Sequence, residues 1–229
     1  KKLKIPLNLE LRHIWQALAK NIILDGKVVE NPHKRWSDIQ ESLPELPIRV
    51  LGPPPTSGTR DAFVELAMEG GCQHFKHVRD LKKIDKTAYK SLCHSIREDG
   101  LYIEAGENDN LIVQKIEANV DSVGIFGFSF LEQNRDKIRS IPVDGIQPSI
   151  ESISIGTYPV SRSMFFYVKS QHIKLVPGVL EFVEAFLDED ASGSYGYLVD
   201  KGLIPLSDEE REETLDTVLS LEPLVLPVE

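Results

Sequence analysis

Cysteine is scarce in this sequence, with two residues among 229, and no apolar run approaches the eighteen or more residues that a membrane-spanning helix needs. The chain therefore offers no candidate helical span and at most one internal disulfide. Two active-site signatures are also missing. No Gly-x-Ser-x-Gly elbow occurs to expose a serine nucleophile, and no lysine follows a glycine loop in the order that cradles a nucleotide's phosphates. Basic charge is short as well: 26 Lys and Arg face 36 Asp and Glu, and a net charge of -10 argues against a general binder of nucleic-acid backbones. It does not argue against a small oxyanion, whose local field is set by a helix terminus and one arginine. His74, His77 and His94 would have to converge with the cysteines to hold a metal, in a geometry that nothing in their spacing requires. No metal and no cofactor are expected. The remainder is ordinary for a globular chain: 41% apolar and 27% charged, long enough to bury roughly 70% of its extended surface in one large domain or two modest lobes.

The chemistry concentrates between residues 50 and 65. Ile48-Arg49-Val50-Leu51 suits a short strand, and Pro53, Pro54 and Pro55 forbid a helix before Thr56. Beyond them the apolar period becomes helical, with Phe63, Leu66 and Ala67 on one stripe and Thr56, Ser57 and Thr59 near its start. A strand, a rigid turn and a helix opening on Ser-Gly-Thr-Arg make an anion trap. Free N–H groups and the helix dipole favour negative charge, hydroxyls donate, and Gly58 has no side chain to block approach. Arg60 adds a bidentate, charge-assisted donor. The plainer reading makes Thr56 or Ser57 only an N-cap and Arg60 a solvated surface residue.

Around this stretch the pattern predicts helices over 9–20, 57–69, 89–98, 111–118 and 207–218, another from about 177, and a lysine-rich helix pair over 76–90. Gly70-Gly71 reads as the stop of the 57–69 helix. Asp25-Gly26, Asn31-Pro32 and Asp144-Gly145 are turn signals. The runs 102–104, 122–130 and 165–168 read as strands, the last two of the buried type.

The series Pro53-Pro54-Pro55-Thr56-Ser57-Gly58-Thr59-Arg60-Asp61, Arg97-Glu98-Asp99-Gly100, Gly106-Glu107-Asn108-Asp109-Asn110, Gly124-Ile125-Phe126-Gly127-Phe128-Ser129, Tyr158-Pro159-Val160-Ser161-Arg162 and Asp200-Lys201-Gly202-Leu203-Ile204-Pro205 runs through nearly the whole chain in order. It resembles the phosphate-binding protein of the bacterial phosphate ABC importer, in the branch found in alpha-proteobacteria. The resemblance implies an α/β, periplasmic-binding-protein-like fold of type II, with one complete lobe over 1–157 carrying the anion loop. Residues 158–229 would be the return crossover and C-terminal helical remnant of lobe one. It implies that inorganic phosphate is held by Thr56, Ser57, Gly58, Thr59, Arg60 and Asp61, with Asn108, Asp109 and Arg162 as possible cleft residues. In the family's enteric form the arginine precedes Ser-Gly-Thr, at the position Pro53 holds here, and Arg60 would supply that charge. Asp61 either accepts the ligand's proton or holds Arg60 in place.

The same resemblance implies a periplasmic receptor that delivers phosphate to a membrane permease, acts as a monomer at full length, binds no nucleic acid and catalyses no reaction. In that compartment Cys72 and Cys93 would form a disulfide worth roughly 3 kcal/mol, two buried thiols being the alternative. Lys1-Lys2-Leu3-Lys4 is basic, but Ile5-Pro6-Leu7-Asn8-Leu9 lacks the apolar core of a signal peptide. The resemblance places a signal peptide and most of lobe one ahead of this point, so the chain is expected to lack the N-terminal part of lobe one, as a fragment or a shortened homologue. The alternative function is that of a truncated or degenerate homologue, binding phosphate weakly or not at all, with a structural or interaction role. An enzyme on phosphate esters is not expected, because no base lies near Ser57 in sequence.

Overall fold

The computed structural model describes residues 7–223, which fall into two compact units divided between Arg162 and Ser163. The basic stretch Lys1-Lys2-Leu3-Lys4 and the two residues after it lie outside the described residues. The first unit opens with helix α1 (Leu11–Leu18), whose Leu11, Ile14, Trp15 and Leu18 recur at three- and four-residue steps and are buried. A hairpin follows, β1 (Asn21–Leu24) against β2 (Lys27–Glu30). Asp25 and Gly26 both have positive φ, 50° and 74°, as a two-residue primed turn requires. A 3-10 turn at Trp36–Asp38 buries Trp36 and leads to β3 (Val50–Gly52), which is buried throughout.

The next helix runs without a break as α2 (Gly58–Phe63), a π-helical segment (Val64–Glu69) and α3 (Gly70–Cys72). The expected stop at Gly70-Gly71 is thus corrected: Gly70 keeps helical dihedrals, φ -54° and ψ -49°. Those glycines serve packing instead. A Cβ on Gly71 would lie 2.1 Å from the Leu11 carbonyl oxygen and 2.9 Å from Trp15 Cβ, so α1 crosses too closely for any side chain there.

The lysine-rich pair forms as α4 (Lys76–Ile84) and α5 (Lys86–His94). Asp85 caps α5, accepting from Thr87 and Ala88 N–H at 3.0 and 2.9 Å. The helix expected over 89–98 therefore starts earlier and ends at His94. Ile96 instead bridges Ala19 in antiparallel fashion, while buried Arg97 makes five hydrogen bonds, to the carbonyls of Ala17, His33 and Asn31 and two to the Asp99 carboxylate. Five charged-assisted donors satisfied in this way compete successfully with one more helical turn.

After β4 (Tyr102–Glu104) come α6 (Asp109–Ala118), β5 (Val123–Gly124), α7 (Phe128–Gln133) and α8 (Ile150–Ser154). β3 is the centre of a parallel sheet of order β4-β3-β5, with Val50 opposite both Tyr102 and Val123. The strand expected over 122–130 shrinks to two residues. Its last ladder bond is Ile125 N–H to Leu51 O at 2.8 Å, after which Gly127 N–H turns to the Asp109 side chain and α7 begins.

The second unit contains α9 (Ser170–Ile173), α10 (Val179–Leu187), α11 (Glu189–Ser192) and α12 (Asp208–Ser220). Val183, Leu187 and Ala191 are buried, and Arg211 donates to the Leu187 carbonyl at 2.9 Å. Ser207 and Glu210 form a reciprocal capping box at the start of α12. The buried strand expected over 165–168 is not present: these residues join no sheet, and Phe165 and Tyr167 are 76% and 78% exposed.

Candidate anion-binding site

Three strand-to-helix turns lie side by side at the carboxyl edge of the parallel sheet, the place where open α/β sheets bind ligands. The first leaves β3 at Gly52, where a Cβ would meet the Tyr102 hydroxyl at 2.3 Å, so only glycine fits. Pro53, Pro54 and Pro55 carry no N–H, and Ser57 N–H closes the turn onto Pro54 O at 3.0 Å. Ser57 is extended, with φ -92° and ψ 131°, and its hydroxyl oxygen accepts from Thr59 N–H at 3.2 Å. It is thus the N-cap. The N–H groups of Gly58 and Arg60 have no acceptor among the described residues, and nothing lies within 4 Å of the Cβ position at Gly58. The first turn of this helix therefore offers main-chain donors to open space.

Arg60 turns back over the strand end. Its Nη1 donates to Pro53 O at 3.1 Å, and the guanidinium carbon stands 4.5 Å from the centroid of the Tyr102 ring. Tyr102 donates its own hydroxyl to the same carbonyl at 2.8 Å, and burial pushes its phenol up from the usual range. Asp61 is exposed and makes no ion pair among the described residues, Arg60 donating to Pro53 O instead.

The second and third turns are tied to the first. Thr56 donates its hydroxyl to Glu107 at 2.5 Å, joining the turn after β3 to the turn after β4. Asn108 caps α6 by accepting from Asn110 N–H at 3.0 Å. Asp109 accepts from Gly127 N–H at 3.1 Å, joining the turn after β4 to that after β5, and burial pushes its carboxyl up despite that bond. Arg162 lies elsewhere, paired with Glu65 on the π-helical segment at 3.2 Å. The fold thus brings residues 56–61 and 108–109 to one edge and leaves Arg162 outside that group.

Sequence reasoning missed Gly52, Tyr102 and Glu107 as members of this edge. Glu107 sat within a turn already singled out, but its partner is 51 residues away and nothing local signals the bond. Chemically the arrangement can donate to an anion, but it holds no activated nucleophile. Ser57 is engaged as a cap, and no histidine bonds it among the described residues.

Behind the site, Cys72 at the far end of the helix is bridged to Cys93 on α5, with Cα atoms 5.5 Å apart and both residues fully buried. No group of three or more His, Cys, Asp or Glu among the described residues is arranged to hold a metal, and no described helix is long and apolar enough to cross a membrane.

Residues 6–190 match the family model described as a PBP superfamily domain, and the chain belongs to that superfamily. The phosphate-binding protein PstS of Staphylococcus haemolyticus is 27% identical over 168 residues, which cover 71% of this chain and 44% of that protein. Protein SphX of Synechococcus elongatus is 30% identical over 168 residues, covering 71% and 42%. The chain therefore spans less than half the length of these curated relatives. Among solved structures, a possible phosphate binding protein from Planctomyces limnophilus aligns with a TM-score of 0.60 at 22% identity, over 95% of this chain and 66% of that one. PstS from Borrelia burgdorferi aligns with a TM-score of 0.54 at 16% identity, over 90% and 66%. The α/β fold is shared with these structures. Of these proteins, the Staphylococcus PstS and the Planctomyces structure are named for phosphate binding.

Proposed function

We propose that the chain binds inorganic phosphate as the extracytoplasmic receptor of an ABC importer and passes it to a membrane permease. The observation that carries this reading is the opening of the helix after β3. Ser57 caps it, and among the described residues Gly58 and Arg60 present unpaired N–H groups and nothing lies within 4 Å of the Cβ position at Gly58. Partial positive charge at a helix start, the hydroxyls of Ser57 and Thr59, and the Arg60 guanidinium together suit a tetrahedral oxyanion, and Thr56 would join them by releasing Glu107. Asp61, exposed and unpaired among the described residues, is the carboxylate in reach that would accept the proton of hydrogen phosphate and repel fully ionised sulfate. In this reading residues 1–157 are lobe two and 158–229 the crossover and helical remnant of lobe one. Asn108 and Asp109 shape the pocket mouth. Periplasmic placement and the alpha-proteobacterial branch rest on the ordered motif series.

Calorimetry after exhaustive phosphate removal tests the proposal, with sulfate and Arg60→Ala as controls. Micromolar or tighter phosphate binding that weakens roughly 10- to 150-fold in Arg60→Ala is expected, as for loss of one charged hydrogen bond. Absence of heat up to millimolar phosphate, from protein shown to be folded, would replace this reading with that of a degenerate homologue.

A further inference from the structure

We propose that Tyr102 is a positioning residue for Arg60, fixing the guanidinium in the orientation in which it meets the anion. This rests on the phosphate-binding reading above. Three contacts converge on the pair. The Tyr102 ring lies under the guanidinium at 4.5 Å, while the Tyr102 hydroxyl and Arg60 Nη1 donate to one shared acceptor, Pro53 O, at 2.8 and 3.1 Å. From the strand side, the ring is held where any Cβ on Gly52 would meet its hydroxyl at 2.3 Å, so the glycine makes room for the tyrosine's place. Tyr102 is only 6% exposed and cannot swing aside without opening the core.

The consequence falls on the arginine. One Nη1 hydrogen and one face of its plane are committed, while Nε and Nη2 have no acceptor among the described residues. A long side chain that would otherwise sample many rotamers is thus held with free donors before ligand arrives, which lowers the ordering cost of binding. Since burial raises the phenol's pKa, the hydroxyl remains a donor at neutral pH. The turn's shape depends on the same contacts, because the shared carbonyl belongs to Pro53 at its first position.

A thermodynamic cycle on phosphate affinity tests this, using the wild-type chain, Tyr102→Leu, Arg60→Ala and the double variant, with Tyr102→Phe as the conservative control. Tyr102→Leu is expected to weaken binding about 3- to 30-fold, the range of a partly desolvated cation–π contact, and Tyr102→Phe by no more than about threefold. In the Arg60→Ala background Tyr102→Leu is expected to add nothing further. An equal loss in both backgrounds overturns the proposal, because Tyr102 would then act on the fold rather than through Arg60. A second readout needs no ligand: the Arg60 side-chain protons of the wild-type protein should show a ring-current shift in NMR. That shift should persist in Tyr102→Phe and vanish in Tyr102→Leu. Unshifted Arg60 protons in the wild-type protein overturn the proposal. A shifted Arg60 in a protein that takes no phosphate retires the functional reading while leaving the positioning contact in place.

Discussion

His94 donates from Nε2 to a carboxylate oxygen of Glu69 at 2.7 Å, joining α5 to the helix that carries the candidate anion loop. Tyr89 and Lys82 add donors to the same carboxylate at 2.8 and 3.0 Å. Burial pushes the Glu69 carboxyl up, but these three bonds outweigh it and hold the pKa at about 2, against 4.5 for a free glutamate. The group is depressed in the folded state, so its contribution is complete above pH 4.5 and is lost as pH falls towards 2. The shift corresponds to roughly 3 kcal/mol. Urea midpoints measured between neutral pH and pH 2 should fall less steeply in Glu69→Gln than in the wild-type chain. Identical slopes would show that this carboxylate does not govern acid stability.

The Cys72–Cys93 bridge spans 21 residues and joins α3 to α5 beside that carboxylate. Closing a loop of this length stabilises by roughly 3 kcal/mol in the chain-entropy account. Because both sulfurs are buried, reductant should act through unfolding rather than on the native surface. Reduced protein is expected to show a urea midpoint lower by about 1 to 3 M, for a urea slope of about 1–3 kcal/mol/M. Thiol release in native buffer should track the unfolding rate. Rapid release with the fold intact would contradict the burial.

Gly70 and Gly71 are adjacent in sequence and differ in what surrounds them. At Gly71 a Cβ would strike the Leu11 carbonyl at 2.1 Å; at Gly70 it meets only the Leu11 Cδ1 at 3.2 Å. Gly71→Ala must push α1 away and should destabilise by about 1–3 kcal/mol or more. Gly70→Ala requires a small shift of one flexible side chain, offset by up to about 1 kcal/mol of helix propensity, and should be close to neutral. Denaturant unfolding of the two variants decides the matter, and equal effects would argue against the close crossing of α1.

These two glycines also show where sequence legibility ends. The amphipathic period of α1, the Asp25-Gly26 hairpin and the Ser207 capping box were readable because each depends on residues within four positions of one another. Gly70-Gly71 looks like a stop because local rules know nothing of Leu11, 60 residues upstream. The aromatic run at 165–168 has the composition of a buried strand, yet it finds no strand partner among the described residues. At the candidate site the same division holds. The Ser57 cap and the glycine loop were visible from residue types and spacing. The bonds from Thr56 to Glu107 and from Arg60 to Pro53 across the Tyr102 face were not, because tertiary folding alone brings those groups together.

Gly58 offers the sharpest separation of site from scaffold. Its backbone lies outside the left-handed region that demands glycine, and nothing stands within 4 Å of its Cβ position, so Gly58→Ala introduces no clash and no strain. Alanine in a first helical turn should leave stability within about 1 kcal/mol, or raise it slightly, since Gly costs roughly that much in a helix. The added methyl nevertheless projects into the open space that the free N–H groups face. If an oxyanion sits there, the methyl keeps it from those donors and leaves them unpaired against the ligand, at about 1–3 kcal/mol for each bond lengthened or lost. Thermal melts without phosphate and calorimetry with it should therefore diverge: an unchanged or higher melting temperature, and phosphate affinity weaker by roughly 5- to 150-fold. Unchanged affinity in Gly58→Ala would move any bound anion away from this helix start, whatever the Arg60 variants do.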